Sequence, residues 1–238
     1  MLWYKAWLET RGRFLIALFG ITAFCAYSVF HGDKEALSDT RIEYYYHVLH
    51  SGHKLLTILW VVAVNLLMMG GLLREKSVGA SAYTLALPVS RARLMGVRVS
   101  FGFIQAISLV IVPWCAMFLV SSIFGKTHSV PQALFHIILL TGGGMVFFAI
   151  ALLTSSLVEG EYTAPCVSFG IAIALGIIFN AEPLRAYNPW AFISGSYFYN
   201  RQSFLLAGPI PWMQVMAYFL FAAILTFISI KAVQKHEF

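Results

Sequence analysis

Six long apolar runs constrain this chain more than any other feature: Phe14–Phe30, Leu55–Leu73, Leu94–Phe124, Ala133–Val158, Tyr162–Asn180 and Met213–Ile230. A helix crossing the hydrocarbon core of a bilayer needs about 20 mostly apolar residues, within a range of roughly 17–25. Each run meets that requirement, and ionisable side chains are nearly absent from the run interiors. Backbone polar groups in lipid must be satisfied internally, which leaves helices or a closed barrel. No series of short period-2 segments runs along the sequence, so a barrel is disfavoured. The expectation is an all-α, polytopic integral membrane protein with six transmembrane helices.

Composition agrees. Of 238 residues, 60% are hydrophobic and 11% charged, where soluble domains carry about 25% charged residues. A globule built from this chain would lack the polar side chains to cover its surface. That excludes a disordered chain, a coiled coil, a secreted disulfide scaffold and almost any soluble enzyme. The three cysteines, Cys25, Cys115 and Cys166, lie inside apolar segments and share no CxxC spacing, so they read as packing or lipid-facing residues. No repeat or low-complexity stretch interrupts the chain. It reads as one transmembrane domain over 1–238, with an interfacial helix at 1–13, six spans within 14–230 and a cytoplasmic tail at 231–238.

Residues 1–13 combine Lys5, Arg11 and Arg13 with Trp3, Tyr4, Trp7 and Leu8. That mixture predicts an amphipathic helix lying on the membrane before turning into the first span. A cleavable signal fits less well, because Ala23-Phe24-Cys25 is a weak processing site.

The formal charge of +6 comes from basic residues at the ends of apolar runs, which reads as a topology signal and not as a nucleic-acid stripe. With the N-terminus inside, ten lysines and arginines fall on the cytoplasmic side and six opposite. Five of the ten, Arg74, Lys76, Arg91, Arg93 and Arg98, flank the loop between spans two and three. Both termini and that loop are therefore expected in the cytoplasm of a cell bounded by this inner membrane.

The chemistry-bearing residues are few. Asn65, Gln105 and His136 are the notable polar groups within the spans, and they read as interhelical hydrogen-bonding residues. His47, His50 and His53 sit at helical offsets just before span two, without a cysteine to complete a familiar metal set, and read as polar flanking residues. No metal site and no cofactor is expected. Gly125-Lys126-Thr127 resembles the tail of a phosphate loop, but Val120 stands where its leading glycine belongs. Serine-hydrolase elbow, zinc-protease helix and dinucleotide turn are all missing from the sequence. The chain is not expected to be an enzyme, and any energy it uses must come from another chain.

One loop stands apart. From Leu72 to Arg98 the sequence reads LLREKSVGASAYTLALPVSRARLMGVR. Glu75 and Lys76 lie at the end of span two, and Val78, Ala82 and Leu85 then recur at helical spacing, which predicts a short amphipathic helix. Pro88 stops it, and Ser90 is placed to cap the next helix, which opens with Arg91 and Arg93.

In this loop the chain resembles the permease subunits of type-2 ATP-binding-cassette transporters. The resemblance rests on Glu75, Gly79 and the element Leu85-Ala86-Leu87-Pro88-Val89-Ser90-Arg91, and on a six-span layout with an outer element at 181–211. It implies a half-transporter: an ATP-binding ATPase subunit docks beneath, and a second permease subunit, identical or different, completes the path. The segment bearing Glu75, Lys76, Val78, Gly79, Ala82, Leu85, Pro88 and Arg91 would then be the coupling helix. Export or flopping of a lipid, glycan, peptide or drug-like substrate is the implied activity; the alternative is a non-transport membrane scaffold or assembly subunit.

Overall fold

The computed structural model describes residues 2–35, 48, 52–68, 90–123, 125, 129–158, 160, 162–200 and 205–235. Among the described residues the fold is entirely helical, apart from one isolated antiparallel bridge between Tyr199 and Leu206. The helices are α1 (Leu2–Glu35), α2 (His53–Leu67), α3 (Arg91–Ile123), α4 (Val130–Leu157), α5 (Thr163–Ile178), α6 (Pro189–Ile193) and α7 (Trp212–Lys235). Four of them, α1, α3, α4 and α7, are long and apolar enough to cross a membrane. The apolar helices α2 and α5 are shorter, at 15 and 16 residues. This is the build of an α-helical membrane protein.

The central helix is α4. In its most apolar window 72% of residues are buried, against 17% in the corresponding windows of α1 and α7. It packs against α2, α3, α5, α6 and α7. Its triple glycine explains how one helix serves so many neighbours. A Cβ on Gly142 would lie 2.7 Å from Val215 of α7, one on Gly143 2.6 Å from Phe192 of α6, and one on Gly144 2.6 Å from Trp60 of α2. Three successive residues point in three directions around a helix, so each missing side chain admits a different partner. The helix runs through them unbroken.

Along α7 the buried positions Val215, Ala222 and Ser229 are seven residues apart and form a narrow seam. Ser229 shares a 2.6 Å hydrogen bond with Ser156, 73 residues earlier, and Val215 meets Gly142 at the same offset. The two helices therefore run parallel in one register, small residue facing small residue. Outside the seam, Met213, Leu220 and Phe227 are exposed, as a lipid-facing surface requires.

The N-terminal segment departs from expectation. Residues 2–35 form one helix of 34 residues, about 51 Å at 1.5 Å per residue, with no turn between an interfacial part and a span. Of the aromatic residues expected in the headgroup layer, Trp3 and Trp7 meet Phe101 of α3 edge to face, at 6.0 and 6.2 Å between ring centres, while Tyr4 is exposed. Thr10 accepts a 2.9 Å hydrogen bond from Gln105 Nε2. These contacts hold the first three turns of α1 against α3.

Candidate functional site

Most of the expected coupling helix, Glu75, Lys76, Val78, Gly79, Ala82, Leu85 and Pro88, lies outside the described residues. Arg91 opens α3. Both ends of the loop are described, and each is anchored. At the exit from α2 the last carbonyls have no partner within the helix, as at every helix C-terminus. Arg13 Nη1 donates to the Leu66 carbonyl at 3.0 Å, and Arg98 Nη2 to the Met68 carbonyl at 3.4 Å. The guanidinium groups come from α1 and α3, so three helices meet where the loop leaves the bundle. Cations there also complement the negative end of the helix dipole. At the far end of the loop, Ser90 Oγ accepts from the Arg93 amide at 3.3 Å and its carbonyl from the Leu94 amide at 3.1 Å. That is the cap expected from the sequence.

The span polar residues take separate roles. Gln105 bridges α3 to α1 through Thr10, as an interhelical hydrogen-bonding residue should. Among the described residues Asn65 makes no bond to another helix; its Nδ2 donates to the Val61 carbonyl of its own helix at 2.8 Å. His136 joins a buried aromatic cluster that brings together residues far apart in sequence. Its ring lies 4.1 Å from that of His53, 5.3 Å from Trp114 in a stacked arrangement and 5.9 Å from Tyr199, centre to centre.

His53 corrects the expectation of a polar flanking residue. It opens α2, is 2% exposed, and its Nε2 donates to the Ile193 carbonyl at 3.3 Å. A carbonyl only accepts, so Nε2 carries the proton in this contact. Nδ1 of His53 and Nε1 of Trp114 find no hydrogen-bond partner among the described residues. His47 and His50 lie outside them, and no group of three metal-ligating side chains occurs among them. Gly125 has a plainer role than phosphate binding: with φ at 67° and its amide bonded to the Ser122 carbonyl, it turns the chain just beyond α3.

The segment read from the sequence as an outer element covers this end of the bundle. A 3₁₀ turn at Leu184–Tyr187 leads into α6, whose first amides are capped by Asn188 Oδ1, at 3.0 Å from Trp190 N and 3.4 Å from Ala191 N. The Trp190 indole donates to the Ala172 carbonyl of α5 at 2.7 Å, and the Tyr218 hydroxyl of α7 donates to the Tyr187 carbonyl at 2.8 Å. Gln132, which the sequence did not single out, holds the element from below. Its Nε2 donates to the Leu206 carbonyl at 2.8 Å, and its Oε1 accepts from the Leu206 amide at 2.9 Å. One amide side chain thus pairs with a backbone residue as a strand partner would. Burial also pushes the Tyr199 phenol well above its ordinary range.

Between α5, α7 and the outer element lies an apolar cavity of about 440 Å³, lined by Leu175, Phe179, Pro189, Ala217 and Phe221, with Tyr187, Gln214 and Tyr218 as its polar side chains. Such a volume with few polar groups suits an apolar or amphipathic molecule. Comparison with protein-family models finds no match, and no curated protein matches the chain.

Proposed function

We propose that this chain is the membrane-spanning permease subunit of a type-2 ATP-binding-cassette transporter, with six spans and both termini in the cytoplasm of the plasma (inner) membrane. It moves an apolar or amphipathic substrate outward, by export or flopping, driven by a separate ATPase subunit and paired with a second permease subunit. The observation that carries this reading is the loop between α2 and α3. Its sequence holds the Leu-x-Leu-Pro-Val-Ser-Arg element; its first end is tied to α1 and α3 by Arg13 and Arg98, and its last is fixed by the Ser90 cap on α3. A segment that transmits force needs such anchoring, since a load on a slack loop would be lost in loop motion. The apolar cavity beneath the outer element supports the substrate class.

Purification of the tagged chain together with the proteins encoded beside it tests the proposal. An ATPase subunit recovered at equal stoichiometry supports it. A complex without any nucleotide-binding subunit favours the scaffold alternative.

A further inference from the structure

A second recess, on the opposite half of the bundle, has one wall about as long as one leaflet of a bilayer is thick. It is an open groove of about 540 Å³ between α3 and α7, floored by Met145 and Phe148 of α4. Its α7 wall runs from Phe219 to Ile230, which is about 16 Å at 1.5 Å per residue. Half of the ~30 Å hydrocarbon core is about the same length. Toward one end of the groove Phe103 and Phe219 meet edge to face at 6.4 Å. Apart from the hydroxyl-bearing Ser100 and Thr226, its lining is apolar.

The other end carries a charge. Lys231 lies one residue beyond the groove wall, with its ammonium 5.6 Å from the centre of the Phe227 ring, itself a lining residue. An amphipathic lysine at the end of a membrane helix reaches toward the headgroup layer while its stem lies along apolar surface. A slot with one leaflet-long wall, apolar but for two hydroxyls and with a cation at one end, is complementary to an acyl chain beneath an anionic headgroup.

We propose that this groove seats one acyl chain of an anionic phospholipid, whose headgroup is held by Lys231. The site needs no ATPase and is independent of the transport reading. Only the leaflet it faces depends on how the chain is oriented.

Nanodiscs containing the full chain, with phosphatidylglycerol or phosphatidylcholine carrying a photoreactive group in mid-chain, provide the test. Labelled residues are mapped by mass spectrometry. Phosphatidylglycerol is expected to label Met145, Phe148 and the 219–227 stretch about fivefold more than phosphatidylcholine, the preference a single basic residue near the surface confers. Lys231→Gln should bring the two lipids to parity. Ala223→Phe, at an exposed position in the wall, should abolish groove labelling by both. Equal labelling of the parent by the two lipids, or labelling that survives Ala223→Phe, overturns the proposal. So does a disulfide between two copies of an Ile104→Cys variant lacking the native cysteines, because a second copy would then fill the groove.

Discussion

Arg13 of α1 donates from Nη1 to the carbonyl of Leu66 at the end of α2, across 53 positions of sequence and 3.0 Å of space. The contact ties the N-terminal segment to the point where the α2–α3 loop begins. A second arginine, Arg98 of α3, reaches the carbonyl of Met68. Removing both should release that end of the loop without disturbing the seams of the bundle. Hydrogen bonds to charged groups contribute about 1.5–3 kcal/mol when shielded and less when solvated. Arg13 is partly solvated, so Arg13→Ala should cost about 1 kcal/mol or less, and thermal unfolding in detergent should show only a small shift. Hydrogen exchange at residues 64–68 is expected to rise in Arg13→Ala with Arg98→Ala; unchanged protection would show that the anchors are ornamental.

Gly144 should resist substitution. A methyl there would lie 2.6 Å from Trp60 Cζ3, and that ring is fully buried with its indole N–H bonded to the Ala106 carbonyl at 2.9 Å. The ring has no room to retreat, so Gly144→Ala should destabilise by ~1–3 kcal/mol, the usual cost of overpacking. Gly170→Ala is the control, since nothing lies within 4 Å of its Cβ position. Thermal unfolding of both variants should separate them clearly, with Gly170→Ala at or slightly above the parent.

Gln132→Ala should loosen the outer element. It removes both hydrogen bonds to Leu206, the donor and the acceptor of one amide. Leu206 is buried, so its amide and carbonyl are left without water as a substitute, at a cost of about 1–3 kcal/mol each. Limited proteolysis within 196–210 should accelerate in Gln132→Ala while the long helices remain protected.

The histidine and glutamine of the spans should be dispensable for energy coupling. Ionisable residues within membrane segments mark proton paths when a carrier depends on them. Here Gln105 bonds to Thr10 and His136 packs against His53 and Trp114. Gln105→Ala and His136→Ala are therefore expected to lower stability or change substrate preference, with ATP-driven turnover retained. Complete loss of transport in a correctly assembled His136→Ala variant would point to proton coupling instead.

What the sequence makes legible here is set by range. Hydropathy follows from local composition, so each of the six apolar runs overlaps a helix, α1 to α5 or α7, four of them long enough to cross a membrane, and Ser90 caps α3 as its neighbours suggest. The triple glycine announces close contact, although nothing nearby in sequence names Val215, Phe192 and Trp60 as the partners. The course of α1 is hidden for a related reason. Trp3 and Trp7 beside basic residues read the same whether they face headgroups or Phe101. His53 is the clearest case. Its local setting, a polar heptapeptide before an apolar run, suggests exposure, while its burial depends on Trp114, His136 and Ile193, all distant in the chain.

The α2–α3 loop is expected to face the cytoplasm, on the weight of the lysine and arginine distribution. Tyr83→Cys, in a variant lacking Cys25, Cys115 and Cys166, should resist an impermeant thiol reagent in intact cells and react after permeabilisation. Reaction in intact cells would reverse the orientation.

The central claim is that this loop transmits force from an ATPase, and charge reversal within it is the most direct measurement. In the helix that the sequence predicts here, Val78, Ala82 and Leu85 would offer an apolar face to a partner groove, with Glu75 as a charge beside it. Breaking one partner of a buried charge contact commonly costs about 2–5 kcal/mol in binding. In reconstituted vesicles, Glu75→Arg and Leu85→Asp should each insert normally yet lose ATPase association or uncouple hydrolysis from substrate movement. If both variants bind the ATPase and transport like the parent, the coupling role is wrong and the scaffold reading replaces it.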